Sequence, residues 1–452
     1  MMLVVTLPLS ATKRARQFAL KAKKAGAKLL EIRGDITPNV KAFDSSLPIL
    51  VSPRGAGLGF IRRFKPSYVD LDTAECLLLR SLPIRVKVIL SLHDYKSTPA
   101  LTALKNIVQK MYSLKPWMIK LATVVNDYDD VLKLWNLQEL LNKKSIRSTV
   151  SGMGEKAHLL RVTSPIRNEL TYTFLDGTEP SAIGQLPLSF YRLLPQARTC
   201  LPARQAPALF GIIGGNQIVS SLSPVIHNTL FRKHKINALY SCFPTENFKK
   251  TIKILQKIGV QGFSVTAPFK REAFAMAKKH DAITRRLGVA NTLVKSGTGF
   301  RAFNTDVYGI QKGYPELKKA KDIAILGAGG ALPSAIIAIR RLNTNASITI
   351  FARNTKKAKA ALQKFCVSIE PMCYVASFKS DAVICAVSED VSLPVPKPSS
   401  KSAVAIDLRY GKITSFMRDA GKLGYRVCDG MPMLVNQAQK QFQHFTSSLH
   451  GK

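Results

Sequence analysis

The sequence predicts an α/β protein in two parts: a small (β/α)8 barrel, then a two-lobed α/β module whose second lobe is a doubly wound sheet. Three observations carry this reading. Eight short β-like runs alternate with helical stretches through the first half, the pattern of a parallel sheet closed by eight βα units. The connection 194–208 holds Pro195, Pro202 and Pro207 and reads as a linker. Past it, an apolar strand enters a glycine-rich turn and leaves as an apolar helix, the start of a βαβ unit. A chain of 452 residues exceeds one compact domain, so two or three are expected.

In order, the barrel runs are 3–7, 29–33, 49–53, 68–72, 86–92, 117–121, 148–151 and 171–175. The second alternation begins with strand 210–213, helix 227–233 and strand 262–266. A polar segment, 315–321, leads to strand 323–326, the turn 327–330, a helix to Arg341 and strand 347–351. Later strands are expected at 382–386 and 403–407, and 433–445 reads as a closing helix. The chain is thereby divided into a barrel over 1–200, a first lobe over 208–315 that regains the helix 430–446, and a second lobe over 316–429.

Composition narrows the function classes. Hydrophobic content of 46% is ordinary for globular domains. The net charge of +39 is of a size found in nucleic-acid binders. It is spread over both halves, however, and no DNA-binding motif organises it, which favours a basic enzyme with anionic small-molecule substrates and no nucleic-acid partner. The longest uncharged run, 323–339, is broken by Gly327, Gly329, Gly330 and Pro333, so no membrane span is expected. Val4, Val5 and Leu7 precede the first basic residues, the reverse of a signal peptide. Seven cysteines without a Cys-x-x-Cys pair suggest neither a zinc site nor a disulfide framework, so no metal and a reducing cytoplasm are expected. Oligomeric state is not indicated.

In the first half, the residues able to do chemistry sit at predicted strand ends. Glu31 and Arg33 end the second run, Arg54 follows the third and Asp72 ends the fourth. His93 follows the fifth within Ser-Leu-His-Asp, and Lys120 lies in the sixth within Met-Ile-Lys-Leu-Ala. C-terminal strand ends build the active site of such a barrel, so these side chains should converge. Taken singly, each is more commonly a solvated loop charge, and the histidine a structural one. Lys120 differs, because its apolar neighbours Met118, Ile119, Leu121 and Ala122 turn it toward the interior. Burial lowers a lysine pKa from about 10.4 and favours the neutral, nucleophilic amine, which points to a Schiff base with a ketone. Beside such a lysine, His93 becomes a candidate general acid and base.

Over about residues 1–190 this half resembles the type I 3-dehydroquinate dehydratases. The matching residues are Glu31-Ile-Arg33, Ser91-Leu-His93-Asp94, Lys120-Leu-Ala122, Met153-Gly154 with Arg161, and Ser181 with Gly184-Gln185. The resemblance implies imine formation by Lys120, proton transfer at C2 and at the departing hydroxyl by His93, and carboxylate binding by Arg161. Ser181 and Gln185 would lie on a loop closing over the substrate, with Glu31, Arg33, Arg54 and Asp72 completing the substrate-binding set. Asp72 stands where the family usually has a glutamate that orients the histidine, and Gly55-Ala-Gly-Leu-Gly59 follows Arg54 in place of Glu-Gly-Gly.

In the second half, four motifs precede the glycine turn. They are Ser-Leu-Ser-Pro at 221–224, Gly-Phe-Ser-Val-Thr-Ala-Pro-Phe-Lys at 262–270, Ala-Asn-Thr at 290–292 and Asn-Thr-Asp at 304–306. Hydroxyls, carboxamides, one lysine and one aspartate ahead of a dinucleotide turn suit a polyhydroxylated substrate oxidised or reduced by a nicotinamide. The turn Gly327-Ala328-Gly329-Gly330 is weak evidence alone; the strand before it, the helix after it and Pro333 in the first helical turn strengthen it. Glycines there let backbone N–H groups approach a pyrophosphate at the helix N-terminus. The next strand ends in Phe351-Ala-Arg-Asn-Thr-Lys-Lys357, with no acid to accept from a ribose 2′-OH. Arg353, supported by Lys356 or Lys357, suits a 2′-phosphate and makes NADP the expected cofactor, although a solvated basic helix start would look the same.

These motifs, in this order, resemble the shikimate dehydrogenase family over about residues 209–445. Ser221, Ser223, Thr266, Asn291 and Gln437 match its substrate-binding positions, and Lys270 and Asp306 its catalytic pair. A lysine ammonium beside an aspartate can donate a proton to a developing alkoxide. Taken alone, Lys270 is a surface lysine and Ser223-Pro224 a helix N-cap. Together the two resemblances imply a bifunctional enzyme that dehydrates 3-dehydroquinate to 3-dehydroshikimate and reduces that product to shikimate with NADPH. Two alternatives stay open: a quinate-directed dehydrogenase, and a catalytically inactive regulator on the same folds.

Overall fold

The computed structural model describes residues 2–195, 206–387 and 389–450, so the middle of the proline-rich connection, 196–205, lies outside the described residues. The chain forms two compact units, Met1–Gln261 and Gly262–Lys452.

The first unit opens with eight strands: β1 (Met2–Thr6), β2 (Leu29–Arg33), β3 (Ile49–Ser52), β4 (Tyr68–Asp72), β5 (Lys87–Asp94), β6 (Met118–Val124), β7 (Ser148–Met153) and β8 (Leu170–Thr173). They form one sheet in the order β7-β6-β5-β4-β3-β2-β1-β8. Helices α1 (Ala15–Ala25), α2 (Gly57–Phe64), α3 (Leu101–Ser113), α4 (Tyr128–Lys143) and α5 (His158–Arg167) return the chain between strands. The seam between β7 and β8 is closed by Glu169 N–H donating to Ser148 O at 2.9 Å, and by the Thr149 hydroxyl, which bonds both the N–H and the carbonyl of Leu170. The expected barrel is present.

Strand alternation sorts its interior into layers. Val4, Leu29, Leu50, Tyr68, Ile89, Met118 and Leu170 make an apolar floor. Two residues further along, the same strands carry Thr6, Glu31, Ser52, Asp70, Ser91, Lys120 and Tyr172, and the next step reaches Arg33, Asp72 and His93. Polar chemistry is therefore confined to the C-terminal strand ends, above a dry floor.

After α6 (Leu188–Leu193), strands β9 (Ala208–Gly214) and β10 (Ala238–Pro244) pair in parallel, with helices α7 (Ser223–Lys233) and α8 (Phe248–Ile258). Barrel helix α5 packs on β10 and α4 on α8. The Tyr128 hydroxyl donates to Pro244 O at 3.1 Å and its ring meets Phe243 edge-on. This packing is why the first compact unit continues past the proline-rich connection.

The division between the units falls inside β11 (Val260–Val265), which is followed by β12 (Lys279–His280), β13 (Thr292–Ser296) and β14 (Gly299–Phe303). β13 is antiparallel to both β11 and β14. Helices α9 (Lys270–Met276), α10 (Ala282–Leu287) and α11 (Asp306–Gly313) belong to this region. The remaining strands are β15 (Asp322–Leu326), β16 (Ser347–Ala352), β17 (Ser368–Pro371), β18 (Lys379–Ser380), β19 (Ala382–Cys385), β20 (Lys397–Pro398), β21 (Val404–Asp407) and β22 (Arg426–Cys428). Six of them form a sheet in the order β17-β16-β15-β19-β21-β22, the 3-2-1-4-5-6 pattern of doubly wound dinucleotide folds. Helices α12 (Leu332–Leu342), α13 (Thr355–Leu362) and α14 (Ser415–Lys422) accompany it. β15 is apolar throughout because alternate residues feed opposite cores: Ile323 and Ile325 meet Val307 and Ile336, while Ala324 and Leu326 meet Phe351 and Phe416. The closing helix α15 (Met431–His450) begins close to the expected 430 and runs four residues past the expected 446.

Candidate active sites

In the barrel, β5 runs through His93 instead of ending before it, so His93 is an inward strand residue two places after Ser91. The β5–β6 register sets Ser91 beside Lys120 and His93 beside Ala122. Lys120 is 7% exposed; its Nζ lies 2.6 Å from Asp70 Oδ2 and 4.1 Å from the Tyr172 ring centroid. His93 Nδ1 lies 2.9 Å from Asp72 Oδ2, which fixes the ring proton on Nδ1 and leaves Nε2 as the basic nitrogen. The Arg54 guanidinium lies against the imidazole, 3.3 Å from Nε2, and also reaches Asp70 Oδ2 at 3.2 Å and Asp72 Oδ2 at 3.3 Å.

Charge and burial tune this cluster. Burial lowers the His93 pKa, with Asp72 opposing and the Lys120 and Arg54 charges reinforcing the shift. Burial also lowers Lys120, against the pull of Asp70. Burial would raise Asp70, but the Lys120 ammonium and the Arg54 guanidinium outweigh it and hold that carboxyl far below the usual carboxylate range. A neutral imidazole thus sits near a lysine that gives up its proton more readily than usual, over a carboxylate fixed in the charged state.

A cavity of about 330 Å³ opens over these groups, and Glu31, Arg33, His93, Lys120, Arg161, Ser181 and Gln185 all line it. Arg161 is 5% exposed and its Nε is buried with no hydrogen-bond partner; burial lowers its pKa. A buried guanidinium with an unused donor at a cavity wall can receive a carboxylate. Glu31 accepts from Thr6 Oγ1 at 2.5 Å and Ser52 Oγ at 2.9 Å, and Arg33 is paired with Asp35 at 2.6 Å. Ser181 N–H donates to Gln185 Oε1 at 2.9 Å, and Ser181 Oγ lies 3.2 Å from Thr6 Oγ1, so Thr6 fastens this loop to Glu31. Arg54 and Asp72 both contact His93, and Asp72 stands at the position expected to orient that histidine.

In the second unit, α9 begins at Lys270, whose Nζ lies 2.7 Å from Asp306 Oδ2 at the start of α11. Asn291 Nδ2 donates to Asp306 Oδ1 at 2.7 Å and to Gln437 Oε1 at 3.1 Å, while its Oδ1 accepts from Thr305 N–H at 2.8 Å. Val265 N–H donates to Asn291 O at 2.7 Å, which sets Thr266 next to this cluster. Gln437 can reach it because α15 approaches α11 closely at Gly309, where a Cβ would lie 2.8 Å from Met433 O and 2.9 Å from Gln437 Cβ. Lys270, Asp306, Asn291, Thr266 and Gln437 therefore converge. Ser221 and Ser223 belong to the first unit, where Ser221 Oγ accepts from Ser223 N–H at 3.2 Å and contacts Ser223 Oγ at 3.1 Å. Ser223 is the first residue of α7, and Leu222 holds the cap position without a side-chain hydrogen bond.

The glycine turn lies between β15 and α12. Gly327 has φ +95°, and a Cβ at Gly329 would stand 2.6 Å from Ala386 O, so the turn is pressed onto the end of β19. That is the switch point of the strand order, where such sheets bind dinucleotides. Ala328 and Gly330 are exposed there. Arg353 is exposed just after β16, and Lys357, also exposed, lies in the first turn of α13, where its N–H is capped by Asn354 Oδ1 at 2.9 Å. The residues present fit a dinucleotide carrying a 2′-phosphate. Among the described residues, no group of His, Cys, Asp and Glu could hold a metal, and no helix is long and apolar enough to cross a membrane.

Sequence reasoning missed Asp70, Thr6 and Gln441. Asp70 lies two residues before Asp72 on one strand, a spacing that puts both on the inward face. Gln441 lies one helical turn after Gln437; its Nε2 donates to Gln437 Oε1 and to Asn291 O, both at 3.3 Å.

Comparison with known proteins matches a different family model in each half of the chain. Residues 58–192 match the family model of type I 3-dehydroquinase, and residues 213–293 that of the shikimate dehydrogenase substrate binding domain. A protein of Arabidopsis thaliana, named bifunctional 3-dehydroquinate dehydratase/shikimate dehydrogenase, chloroplastic, is 25% identical over 483 residues, covering 94% of this chain and 79% of its own. The NADP(+) shikimate dehydrogenases of Pyrococcus abyssi and Pyrococcus furiosus are 30% and 32% identical over 53% of this chain, spanning 92% and 90% of their own lengths. Joined to its type I 3-dehydroquinase barrel, the second half places the chain in the shikimate dehydrogenase family, among the bifunctional dehydroquinate dehydratase/shikimate dehydrogenases.

Proposed function

We infer that this chain catalyses two consecutive reactions at separate sites: dehydration of 3-dehydroquinate to 3-dehydroshikimate, and reduction of that product to shikimate. One observation carries the reading. A buried Lys120, a His93–Asp72 pair and the unpartnered Arg161 guanidinium share one cavity region, while a Lys270–Asp306 pair stands ahead of a dinucleotide turn.

At the barrel, Lys120 sheds a proton and its amine adds to the substrate ketone, with loss of water, to give an iminium. The iminium acidifies the neighbouring C2–H, and His93 Nε2 takes that proton. The resulting enamine expels the C1 hydroxyl, to which His93 returns the proton, releasing water; hydrolysis of the new iminium frees Lys120 and product. Asp72 supports the imidazolium that forms between the two transfers. Arg161 binds the substrate carboxylate, and Glu31, Arg33, Ser181 and Gln185 hold its hydroxyls.

For the second reaction the cofactor is NADP, whose reduced form supplies the hydride. Lys270 delivers the proton to the carbonyl oxygen, and Asp306, 2.7 Å away, aims the ammonium. Asn291 and Gln437 orient Asp306, Ser221 and Ser223 bind the carboxylate, and Thr266 a hydroxyl. The turn Gly327–Gly330 takes the pyrophosphate, with Arg353 and Lys357 on the 2′-phosphate. This assigns the dehydratase to 1–200, the substrate lobe to 208–315 with 430–446, and the NADP lobe to 316–429. Six free cysteines among the described residues support a reducing cytoplasm.

A coupled assay tests the reading: 3-dehydroquinate and NADPH with the purified chain should yield shikimate, with one NADPH consumed per shikimate. Reduction of added 3-dehydroshikimate but not of 3-dehydroquinate would remove the dehydratase.

A further inference from the structure

His158 has no part in either proposed reaction, yet it links their machinery. It is the first residue of α5, one turn before Arg161 of the dehydratase cavity, and Phe190 meets its ring edge-on. Its Nδ1 faces two donors on β10: Ser241 Oγ at 2.9 Å and Cys242 N–H at 3.3 Å. Two donors on one nitrogen require a neutral ring with its proton on Nε2. Burial pulls this histidine down to about 4, so the acceptor persists at neutral pH. The chain of contacts continues. Cys242 donates its thiol to Ile218 O at 3.1 Å, and the same carbonyl accepts from Ser221 N–H at 2.9 Å. Ser221 then contacts Ser223, as described above. One route from the barrel to the serine turn thus runs through an imidazole, one strand and one carbonyl, beside the packing of α6 on α7.

We propose that His158 is a positioning residue for the dehydrogenase: through β10 and Ile218 it fixes the turn that presents Ser221 and Ser223 to the substrate. The proposal rests on the reading that these serines bind the carboxylate of shikimate. It makes the barrel a scaffold for the second reaction and not only the source of its substrate. The residue acts on substrate affinity alone, because neither the proton donor nor the cofactor turn lies on this path.

The test uses the full chain with His158→Leu, His158→Asn, Cys242→Ala and Ser221→Ala, measuring KM for shikimate and for NADP together with kcat. His158→Leu should raise the shikimate KM about tenfold, the scale of one lost buried hydrogen bond, with kcat and the NADP KM near their original values. His158→Asn, whose carboxamide oxygen can stand near the position of Nδ1, should restore most of the affinity. Cys242→Ala, which leaves the barrel contact intact, should raise the shikimate KM alone, and this holds as the test should His158→Leu fail to fold. Unchanged shikimate KM in His158→Leu or Cys242→Ala overturns the proposal, as does a parallel loss in both substrates and kcat. Ser221→Ala separates the two readings: a raised KM there with an unaffected His158→Leu sinks the scaffold alone, and no change in either sinks the serine assignment as well.

Discussion

Lys120 Nζ and Asp70 Oδ2 lie 2.6 Å apart at a point where Asp70 has no exposed surface and Lys120 almost none. The pair sits above an apolar floor and below the substrate cavity, so each charge depends on the other, and Asp70 also on Arg54, for solvation. Removing one partner of such a pair costs far more than the pair contributes.

Asp70→Asn should therefore destabilise the protein by about 3–5 kcal/mol at neutral pH. The Asp70 carboxyl has a lower pKa folded than unfolded, so its contribution is complete above the unfolded value of about 3.9 and is lost as pH falls toward the depressed folded value. Denaturant unfolding of both proteins at pH 7 and pH 3 checks this. The gap should narrow in acid, and a variant within about 1 kcal/mol of the parent at pH 7 would show that the pair does not hold the site.

Borohydride reports directly on Lys120. With 3-dehydroquinate or its product present, reduction should inactivate the dehydratase and add the ligand mass to the Lys120 peptide. Full dehydratase activity in Lys120→Ala would eliminate imine catalysis.

His93 lies below its ordinary value near 6.5, mainly through burial, so the folded state favours the neutral ring. Dehydratase kcat/KM should accordingly be flat at neutral pH and fall only below about pH 6.5. The associated stability has the same sign, present above about 6.5 and lost as pH falls through the folded value. Asp72→Asn removes the opposing influence, so the acid limb should move to lower pH while kcat drops by about 10²–10⁴. A limb that moves to higher pH would contradict the assigned pairing.

Much of this was legible in the sequence, for identifiable reasons. Strand alternation places Glu31 with Arg33, and the motif order places Lys270 with Asp306, because local periodicity and family pattern both act on short segments. The barrel strand ends were set to within a few residues, yet His93 was placed after β5 when it lies inside it. A polar residue at a strand end looks like a loop residue unless the neighbouring strand pairs with it, as Ala122 does here. Asp70 was missed because its partner, Lys120, is fifty residues away in the chain. Thr6 and Gln441 were missed for the same cause: their roles exist only through contacts that join β1 to β2 and the Ser181 loop, or α15 to Asn291.

Arg353 should set the cofactor choice. Arg353→Ala is expected to raise the NADPH KM by about 10- to 150-fold, the range of a lost charge-assisted contact, with far less effect on NADH. An unchanged preference would move the 2′-phosphate to Lys357 or Lys356.

The central claim is two complete sites in one chain, and crossed point variants in the coupled assay test it most directly. Lys120→Ala should abolish dehydration of 3-dehydroquinate yet reduce added 3-dehydroshikimate at near the parent rate. Lys270→Ala should still dehydrate 3-dehydroquinate while its reductase kcat falls by about 10²–10⁴ with a smaller change in KM. If either variant, still folded, silences both reactions, the two-site account is wrong.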